Sequence, residues 1–256
     1  MKRSRRFIRI VDIVFITIII AIIFQMAIKE RAYEESRELN EMLRKDMQRQ
    51  ENQVPDEDLE PDYTKSVQKK SNLKAIKDIN SDAVGWIYVR DTNIDYPVMQ
   101  GPDNNYYLKN SFEKNKSIVG SIYMDYRNNY LFTDQNTIIY GHEMNDGSMF
   151  YDLKYMKRPD YAKQNKTIAI TLDDKVLEYE IFSVYPVEAD YDYRTPNYKN
   201  LNEFQAFLNR ISRKSIVEMG IMPDIKDKIL TLSTCSKDFK DARLVVHARL
   251  KTEVIQ

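Results

Sequence analysis

A long apolar segment near the N-terminus, from Ile10 to Ile28, constrains this chain more than any other feature of its sequence. Only Asp12, Thr17 and Gln25 interrupt it, and as a helix it spans roughly 28 Å, close to the hydrocarbon thickness of a bilayer. Residues 1–9 contain five basic side chains and no acidic one, and such a flank stays in the cytoplasm. We therefore expect a cytoplasmic tail over 1–9, a transmembrane anchor over 10–28, and the remaining chain outside the cell.

A cleaved secretory signal is the alternative interpretation of this segment. The apolar part is long for a signal peptide, and residues 25–30 at its end contain no small-x-small cleavage site, so a retained anchor is favoured. The cysteine count bears on the same question, since exported proteins normally use cysteines in disulfide pairs and this chain has only Cys235. That thiol is either reactive or a buried bystander, and the count alone leaves both open.

Between the anchor and the main domain, residues 29–64 predict an extracytoplasmic helical stalk and a linker. The stalk is charged, lacks Gly and Pro to about Gln53, and carries a thin apolar stripe that can dock on the later domain. An acidic, proline-bounded linker follows from Val54 to Pro61. The catalytic domain is expected over 65–256, opening with a short helix from Lys65 to Ile79. The stripe consists of Leu39, Met42, Leu43 and Met47.

From Ala83 onward the sequence changes to short runs rich in β-branched and aromatic residues. No long helices alternate with these runs, which favours a closed or nearly closed β-barrel over a parallel α/β sheet. A connection of about forty residues, long enough to indicate a functional segment, precedes the seventh run and contains an amphipathic helix over 201–211. Strands are predicted over 84–89, 93–98, 121–124, 137–140, 167–172, 177–187, 228–233 and 243–250.

Composition and motifs exclude several classes of function. The 39 basic and 39 acidic residues balance, and no nucleic-acid-binding motif occurs, so no nucleic-acid partner is expected. Neither GxGxxG nor GxxxxGK is present, which leaves no phosphate-binding loop. Two histidines and one cysteine without acidic ligand spacing do not make a zinc site. We expect neither a metal nor a cofactor.

Three side chains stand at the ends of predicted strands, where a scaffold presents functional groups. His142 follows the apolar run 138–140 and Gly141, Cys235 closes the run 229–235, and Arg243 opens the last strand. A thiolate is a strong nucleophile, an imidazole moves protons near neutral pH, and a guanidinium stabilises an oxyanion. If these strands are neighbours, one end of the barrel carries the three groups needed for acyl transfer.

Each residue also has a structural interpretation. A lone His or Arg at a strand end is more often structural than catalytic, and a Cys beside Thr and Ser can simply pack. The interval of eight residues between Cys235 and Arg243 is not decisive by itself. His247 lies four residues into the final strand and is expected to be structural.

Three ordered segments together resemble the class B branch of the sortase family of Gram-positive bacteria. They are TIIYGH at 137–142, TLSTC at 231–235 and RLVVHARL at 243–250, and the similarity extends from about Ile76 to Leu250. The resemblance implies a mainly β fold, an eight-stranded sortase-type β-barrel with N-terminal helices and a helix-containing insertion before the strand that carries the nucleophile. By position within the matching motifs, it makes His142, Cys235 and Arg243 the catalytic residues.

The resemblance also implies an activity and partners. A class B sortase is a cysteine transpeptidase that cleaves a C-terminal sorting signal of secreted proteins after Thr, through a thioester on Cys235. An amine of a lipid-linked peptidoglycan precursor then accepts the protein, which places the catalytic domain outside a cell membrane that the N-terminal helix crosses once. The signal is expected to be NPQTN-like or PxTG-like. Its expected contacts are Asn104, Ser233 and Tyr193, with Tyr191 as the alternative to the last.

Two other functions remain to be distinguished. A thiol hydrolase on the same scaffold would release an acid rather than an amide, and added amine would not change its product. A non-catalytic wall-binding module would form no covalent adduct at Cys235 and would be insensitive to thiol reagents.

Overall fold

The computed structural model describes residues 2–48 and 70–255, with side chains over 12–45 and 73–255. The predicted linker from Val54 to Pro61, and the start of the predicted helix at Lys65, lie outside the described residues.

Eight strands form a closed barrel, as the sequence predicts. Around the barrel their order is β1-β2-β3-β4-β7-β8-β6-β5, and the β2–β3 and β4–β7 pairs are parallel while the others are antiparallel. The strands are β1 Ala83–Val89, β2 Asp95–Met99, β3 Tyr123–Met124, β4 Asn136–Tyr140, β5 Thr167–Thr171, β6 Lys175–Glu188, β7 Ile229–Cys235 and β8 Ala242–Ile255. The prediction of a strand over 121–124 was too long, since only two residues pair there.

Side-chain alternation along β7 separates the barrel interior from the surface that carries the site. Leu230 and Leu232 belong to the main core cluster inside the barrel. Because successive residues of a strand point to opposite faces, Thr231, Ser233 and Cys235 lie on the outer face. Thr231 and Ser233 are nevertheless buried there, and Cys235 is exposed. Another part of the chain therefore covers the outer face of β7 up to its last residue.

That cover is the long connection between β6 and β7. It contains a helix, Leu201–Lys214, which is α4 in chain order after α1 Lys2–Gln48, α2 Lys70–Ile79 and α3 Pro159–Gln164. A 3-10 helix, Tyr151–Lys157, precedes α3. Asn200 caps α4 by accepting a hydrogen bond from the Glu203 amide, at 3.0 Å. The buried face of α4 packs with β6, β7 and β8 in a second core cluster, through Phe204, Phe207, Leu208 and Ile211. Leu201, predicted on that face, is exposed.

Helix α1 runs unbroken through the segments predicted as anchor and stalk. Within the described residues, it is the one helix long and apolar enough to cross a membrane, between Asp12 and Lys45, a property that a membrane anchor and a signal sequence share. Its second half docks on the barrel, since Leu43 is buried in a third core cluster with Trp86 and Leu39 packs against that cluster. Arg44 donates to the carbonyl oxygens of Asn93 and Asp95, at 2.8 and 3.2 Å. Met42, predicted in the same stripe, is 52% exposed.

Candidate active site

Cys235 and Arg243 are direct partners at the end of the antiparallel β7–β8 ladder. Cys235 is the last residue of β7, and its free thiol is exposed to solvent. The Arg243 guanidinium donates to the carbonyl oxygens of Asp241 and Ala242, at 3.4 and 3.0 Å. Both acceptors are uncharged carbonyl groups, so these two bonds do not neutralise the charge of the guanidinium.

His142 reaches the same end of the barrel from the parallel β4–β7 pair. Tyr140 is the register partner of Ser233, and the Gly141 amide donates to the Ser233 carbonyl oxygen at 3.2 Å. His142 and Cys235 each stand two residues beyond this pair, so the register brings both residues to the same end of the barrel. The His142 Nε2 lies 2.9 Å from the Leu108 carbonyl oxygen. A carbonyl only accepts, so Nε2 carries a proton, and in the neutral ring Nδ1 is the nitrogen free to accept another.

Gly141 lets the chain pass from β4 into the loop that carries His142. A Cβ at this position would lie 2.4 Å from the Ile122 Cδ1 and 2.8 Å from the Phe150 ring. Both neighbours are buried, so neither has room to move away. The His142 carbonyl oxygen then accepts from the Phe150 amide at 2.9 Å, which fixes the backbone on the other side of the imidazole.

Tyr123 reports on the electrostatics of the site. Burial raises the pKa of its phenol, the nearby Asp125 carboxylate raises it further, and the Arg243 guanidinium opposes the shift. The Tyr123 hydroxyl therefore lies within electrostatic range of the guanidinium. A thiol, an imidazole and a guanidinium at one rim suit nucleophilic attack on an acyl carbon with stabilisation of the oxyanion.

Comparison with known proteins agrees with this chemistry. The family model of the sortase domain matches residues 87–251. The chain belongs to the sortase family. The sortase B of Staphylococcus aureus is 34% identical over 97% of this chain and 98% of its own length. The sortase B of Listeria monocytogenes is 38% identical over 72% of this chain and 76% of its own. The solved structure of Clostridium perfringens sortase B superposes with a TM-score of 0.67 at 39% identity, covering 70% of this chain and 99% of that structure.

These relatives establish the chain as a class B sortase, and therefore as a cysteine transpeptidase. Members of the family act on proteins that carry sorting signals and on peptidoglycan precursors. The predicted membership of the class B sortases and the predicted eight-stranded barrel are thereby confirmed.

Two of the three predicted substrate contacts touch each other in this sortase. The Tyr193 hydroxyl and the Ser233 Oγ lie 2.9 Å apart, and both residues are buried. Tyr191, the alternative to Tyr193, instead packs near Tyr185 in the cluster beneath α4, with ring centroids 6.3 Å apart. Of the two tyrosines, Tyr193 is therefore the one joined to the strand of the thiol.

The third predicted contact, Asn104, is held by a buried carboxylate. Its Nδ2 donates to the Asp125 Oδ2 at 2.9 Å, and its Oδ1 accepts from the Tyr126 amide at 3.1 Å. Asp125 also accepts from the Tyr140 hydroxyl at 2.8 Å and from two guanidinium nitrogens of Arg127, each at 2.8 Å. These hydrogen bonds outweigh burial and lower the pKa of Asp125, which therefore stays ionised.

Sequence reasoning missed Asp125 and Tyr140, which join Asn104 to the strand beside the thiol. It also missed the buried chain of Asn136, Thr231 and His247 beneath the same surface. Asp125 follows a strand of only two residues, and Tyr140 sits within an apolar run, so neither stands out by pattern. His247 is fully buried and hydrogen-bonded, in keeping with its expected structural role.

Proposed function

We propose that Cys235, His142 and Arg243 are the catalytic residues of this class B sortase. The observation that carries the proposal is the register of three adjacent strands. Pairing of β7 with β8 sets Arg243 opposite Cys235, and pairing of β4 with β7 brings His142 to the same end. The thiol is exposed, as a nucleophile for a protein substrate must be.

In the first half-reaction, the Cys235 thiolate attacks the carbonyl carbon of the signal's threonine. A carbon–sulfur bond forms, and the carbonyl oxygen takes up the electron pair as an oxyanion. Arg243 donates to that oxygen, which is charged in the intermediate but not in the substrate. Collapse breaks the carbon–nitrogen bond, and protonated His142 gives its proton to the leaving amine. The product is a thioester with Cys235.

In the second half-reaction, an amine of the peptidoglycan precursor attacks the thioester carbon. His142 accepts the proton from this amine, and the Cys235 sulfur leaves as a thiolate, so the enzyme returns to its starting state. Arg243 again donates to the oxyanion. We propose a lipid-linked precursor as the donor of this amine, because the acceptor must meet an enzyme held at the membrane.

The sorting signal is proposed to be an NPQTN-like or PxTG-like pentapeptide. Its backbone and polar side chains would lie near Asn104, Tyr193 and Ser233, which approach the rim from three different segments of the chain. Each of these residues offers a polar group that can exchange its present intramolecular bond for one to the peptide.

The topology proposed for the chain is a cytoplasmic tail over 1–9, a single span over 10–28 and a catalytic domain outside the cell. The basic flank and the apolar half of α1 support it. A protease-protection assay on intact cells tests this orientation, since cleavage of the barrel from outside is expected and cleavage only after lysis would contradict it.

The function is tested with the full chain in detergent, a fluorescent sorting peptide and an added amine. Wild type is expected to form the amide product and a thioester that mass spectrometry locates on Cys235, and the Cys235→Ala variant is expected to form neither. Amide formation by Cys235→Ala would contradict the assignment of the nucleophile. An acid product that added amine does not change would identify a hydrolase instead.

A further inference from the structure

The β6–β7 connection carries a short segment, Tyr193–Pro196, whose four consecutive carbonyl oxygens are all hydrogen-bonded to neighbouring parts of the barrel. Asn136 Nδ2 donates to the carbonyl oxygens of Tyr193 and Thr195, each at 3.1 Å. Arg127 Nη2 donates to the carbonyl oxygen of Arg194 at 2.8 Å, and the Asn136 amide donates to that of Pro196 at 2.9 Å. Every peptide unit of this segment is therefore fixed from outside the connection itself.

The attachment continues beyond Pro196. Asn197 accepts from the Gln135 amide at 3.1 Å and donates to the Asp134 carboxylate at 2.7 Å. The Tyr198 amide donates to the Gln135 side chain at 2.7 Å. The first arm of the connection is thus joined to the start of β4 almost as an additional strand would be, and this is unusual for a long surface connection.

The hydrogen bonds of the Asn136 side-chain amide determine which of its two ends carries the nitrogen. The side-chain Nδ2 of Asn136 donates one proton to each of the two carbonyl oxygens, and its Oδ1 accepts from the Thr231 hydroxyl at 2.6 Å. Since that hydroxyl has a single proton, it accepts from His247 Nδ1 at 2.8 Å. His247 Nε2 is then an acceptor for the Tyr185 hydroxyl, at 2.7 Å. A flipped Asn136 amide would turn its oxygen towards the two carbonyl oxygens of Tyr193 and Thr195 and would break both of those bonds.

The first residue of the anchored segment, Tyr193, lies against β7, the strand that carries Cys235. Tyr193 is held at its backbone by Asn136, and its hydroxyl pairs with Ser233, two residues before Cys235. Arg127, which holds the Arg194 carbonyl oxygen, is itself fixed by its two bonds to buried Asp125. Both attachments therefore determine where Tyr193 stands relative to the thiol.

We infer that Asn136 and Arg127 are positioning residues that hold Tyr193–Pro196 as a preformed wall of the sorting-signal groove. The inference rests on the proposed function, because it takes Tyr193 as a contact of the peptide. A wall that is already ordered spares the peptide the entropic cost of ordering it on binding. Neither residue touches the reacting atoms, so the wall governs peptide affinity rather than the chemical step.

The test uses the full chain in detergent and compares Asn136→Asp with wild type. The substitution keeps the shape of the side chain but replaces the amide nitrogen, and the new oxygen faces two carbonyl oxygens. We expect KM for the sorting peptide to rise by about tenfold or more, while kcat stays within about threefold. The rate of Cys235 alkylation by iodoacetamide is expected to stay unchanged, because the thiol and its partners are not altered.

Asn165→Asp is the matched control. Asn165 is also buried, and its Nδ2 also donates to a backbone carbonyl oxygen, that of Tyr161 at 3.0 Å. It lies just before β5, three strands away from β7 around the barrel. The Asn165→Asp substitution is expected to leave KM for the sorting peptide unchanged. Fluorescence of Trp86, which is the single tryptophan and fully buried, verifies folding of each variant.

An unchanged KM in folded Asn136→Asp would overturn the inference, and so would a fall in kcat and alkylation rate at constant KM. Should Asn136→Asp fail to fold, Arg127→Lys is judged by the same criteria, since lysine keeps the charge beside Asp125 but cannot also span to Arg194. Failure of wild type to cleave the peptide would refute the proposed function instead, which separates the two outcomes.

Discussion

Cys235 and Arg243 form the last residue pair of the β7–β8 ladder, so the thiol and the guanidinium leave the barrel at the same level. Antiparallel partners on one face keep their Cβ atoms about 4.5–5.5 Å apart, which suits two groups that act on one carbonyl group. The short interval between the strands maintains this pairing, since the Ser236 amide donates to the Ala242 carbonyl oxygen at 2.9 Å.

Replacement of Arg243 tests its assignment as the oxyanion donor. Arg243→Ala is expected to lower kcat about 100–1000-fold, because one donor to the oxyanion is lost. Arg243→Lys is expected to restore part of this rate, since it keeps the charge without the planar donor pair. Steady-state transfer of a sorting peptide measures the effect, with exposed Arg158→Ala as the control. Full activity in Arg243→Ala would exclude the role.

Gly141→Ala tests the packing that places His142. The added methyl group would meet the Ile122 Cδ1 and the Phe150 ring at distances that require movement of buried atoms. We expect the unfolding free energy to fall by about 1–3 kcal/mol and peptide transfer to decrease. The double variant Gly141→Ala/Ile122→Val removes the nearest contact and should recover part of both losses. No recovery would show that strain at Ile122 is not the cause.

His247 makes stability depend on pH. Burial lowers the pKa of its imidazole to about 3, against about 6.5 in the unfolded chain, so between these values the unfolded state binds more protons. The unfolding free energy is therefore expected to fall by about 2 kcal/mol from pH 7 to pH 5. Denaturant unfolding followed by Trp86 fluorescence measures this slope. His247→Gln should lack it and His142→Ala should retain it, whereas equal slopes in all three proteins would contradict the prediction.

Leu43 and Met42 provide a matched pair for the docking of α1. Leu43 is 2% exposed in the cluster that contains Trp86, whereas Met42 is 52% exposed. Leu43→Ala is expected to cost about 2–5 kcal/mol through the cavity it leaves, and Met42→Ala less than about 0.5 kcal/mol. The two midpoints of denaturant unfolding, again read from Trp86, give the comparison. Equal midpoints would show that the stalk does not contribute to the stability of the barrel.

A double-mutant cycle tests the contact between Tyr193 and Ser233. Tyr193→Phe and Ser233→Ala each remove one member of the hydrogen-bonded pair. If the pair acts as one unit in the groove, the double variant should change kcat/KM about as much as the larger single change, with a coupling of about 0.5–3 kcal/mol. Additive effects would indicate that the two residues contact the peptide independently.

Much of this architecture is readable from local patterns. The strands around His142 and Cys235 are apolar runs that end in a polar residue, and the buried face of α4 follows helical spacing. Those signals depend only on neighbours in the chain. The sequence analysis described an anchor and a helical stalk without stating how they join, and in the structure one continuous helix includes both, because the change from apolar to charged residues does not interrupt helical geometry.

Long-range polar pairing was not predictable in the same way. Thr231 and Asn136 are hydrogen-bonded across 95 residues, and each looks like an ordinary strand residue in its own segment. Only the pairing of β4 with β7 brings them together, and only the β6–β7 connection packed against them turns the outer face of these strands into a buried one. The contact is a consequence of topology rather than of local sequence.

Because α1 is unbroken and its second half docks on the barrel, the rotation of the barrel about the helix axis is fixed relative to the apolar half of the helix. Each residue added between Ile28 and Leu39 would turn the catalytic rim by about 100° about the helix axis and raise it by about 1.5 Å. Insertion of a single residue would therefore place the thiol on a different side of the helix axis. Insertion of about four residues, close to one whole turn, would nearly restore its direction from the axis, at a greater distance from the apolar half.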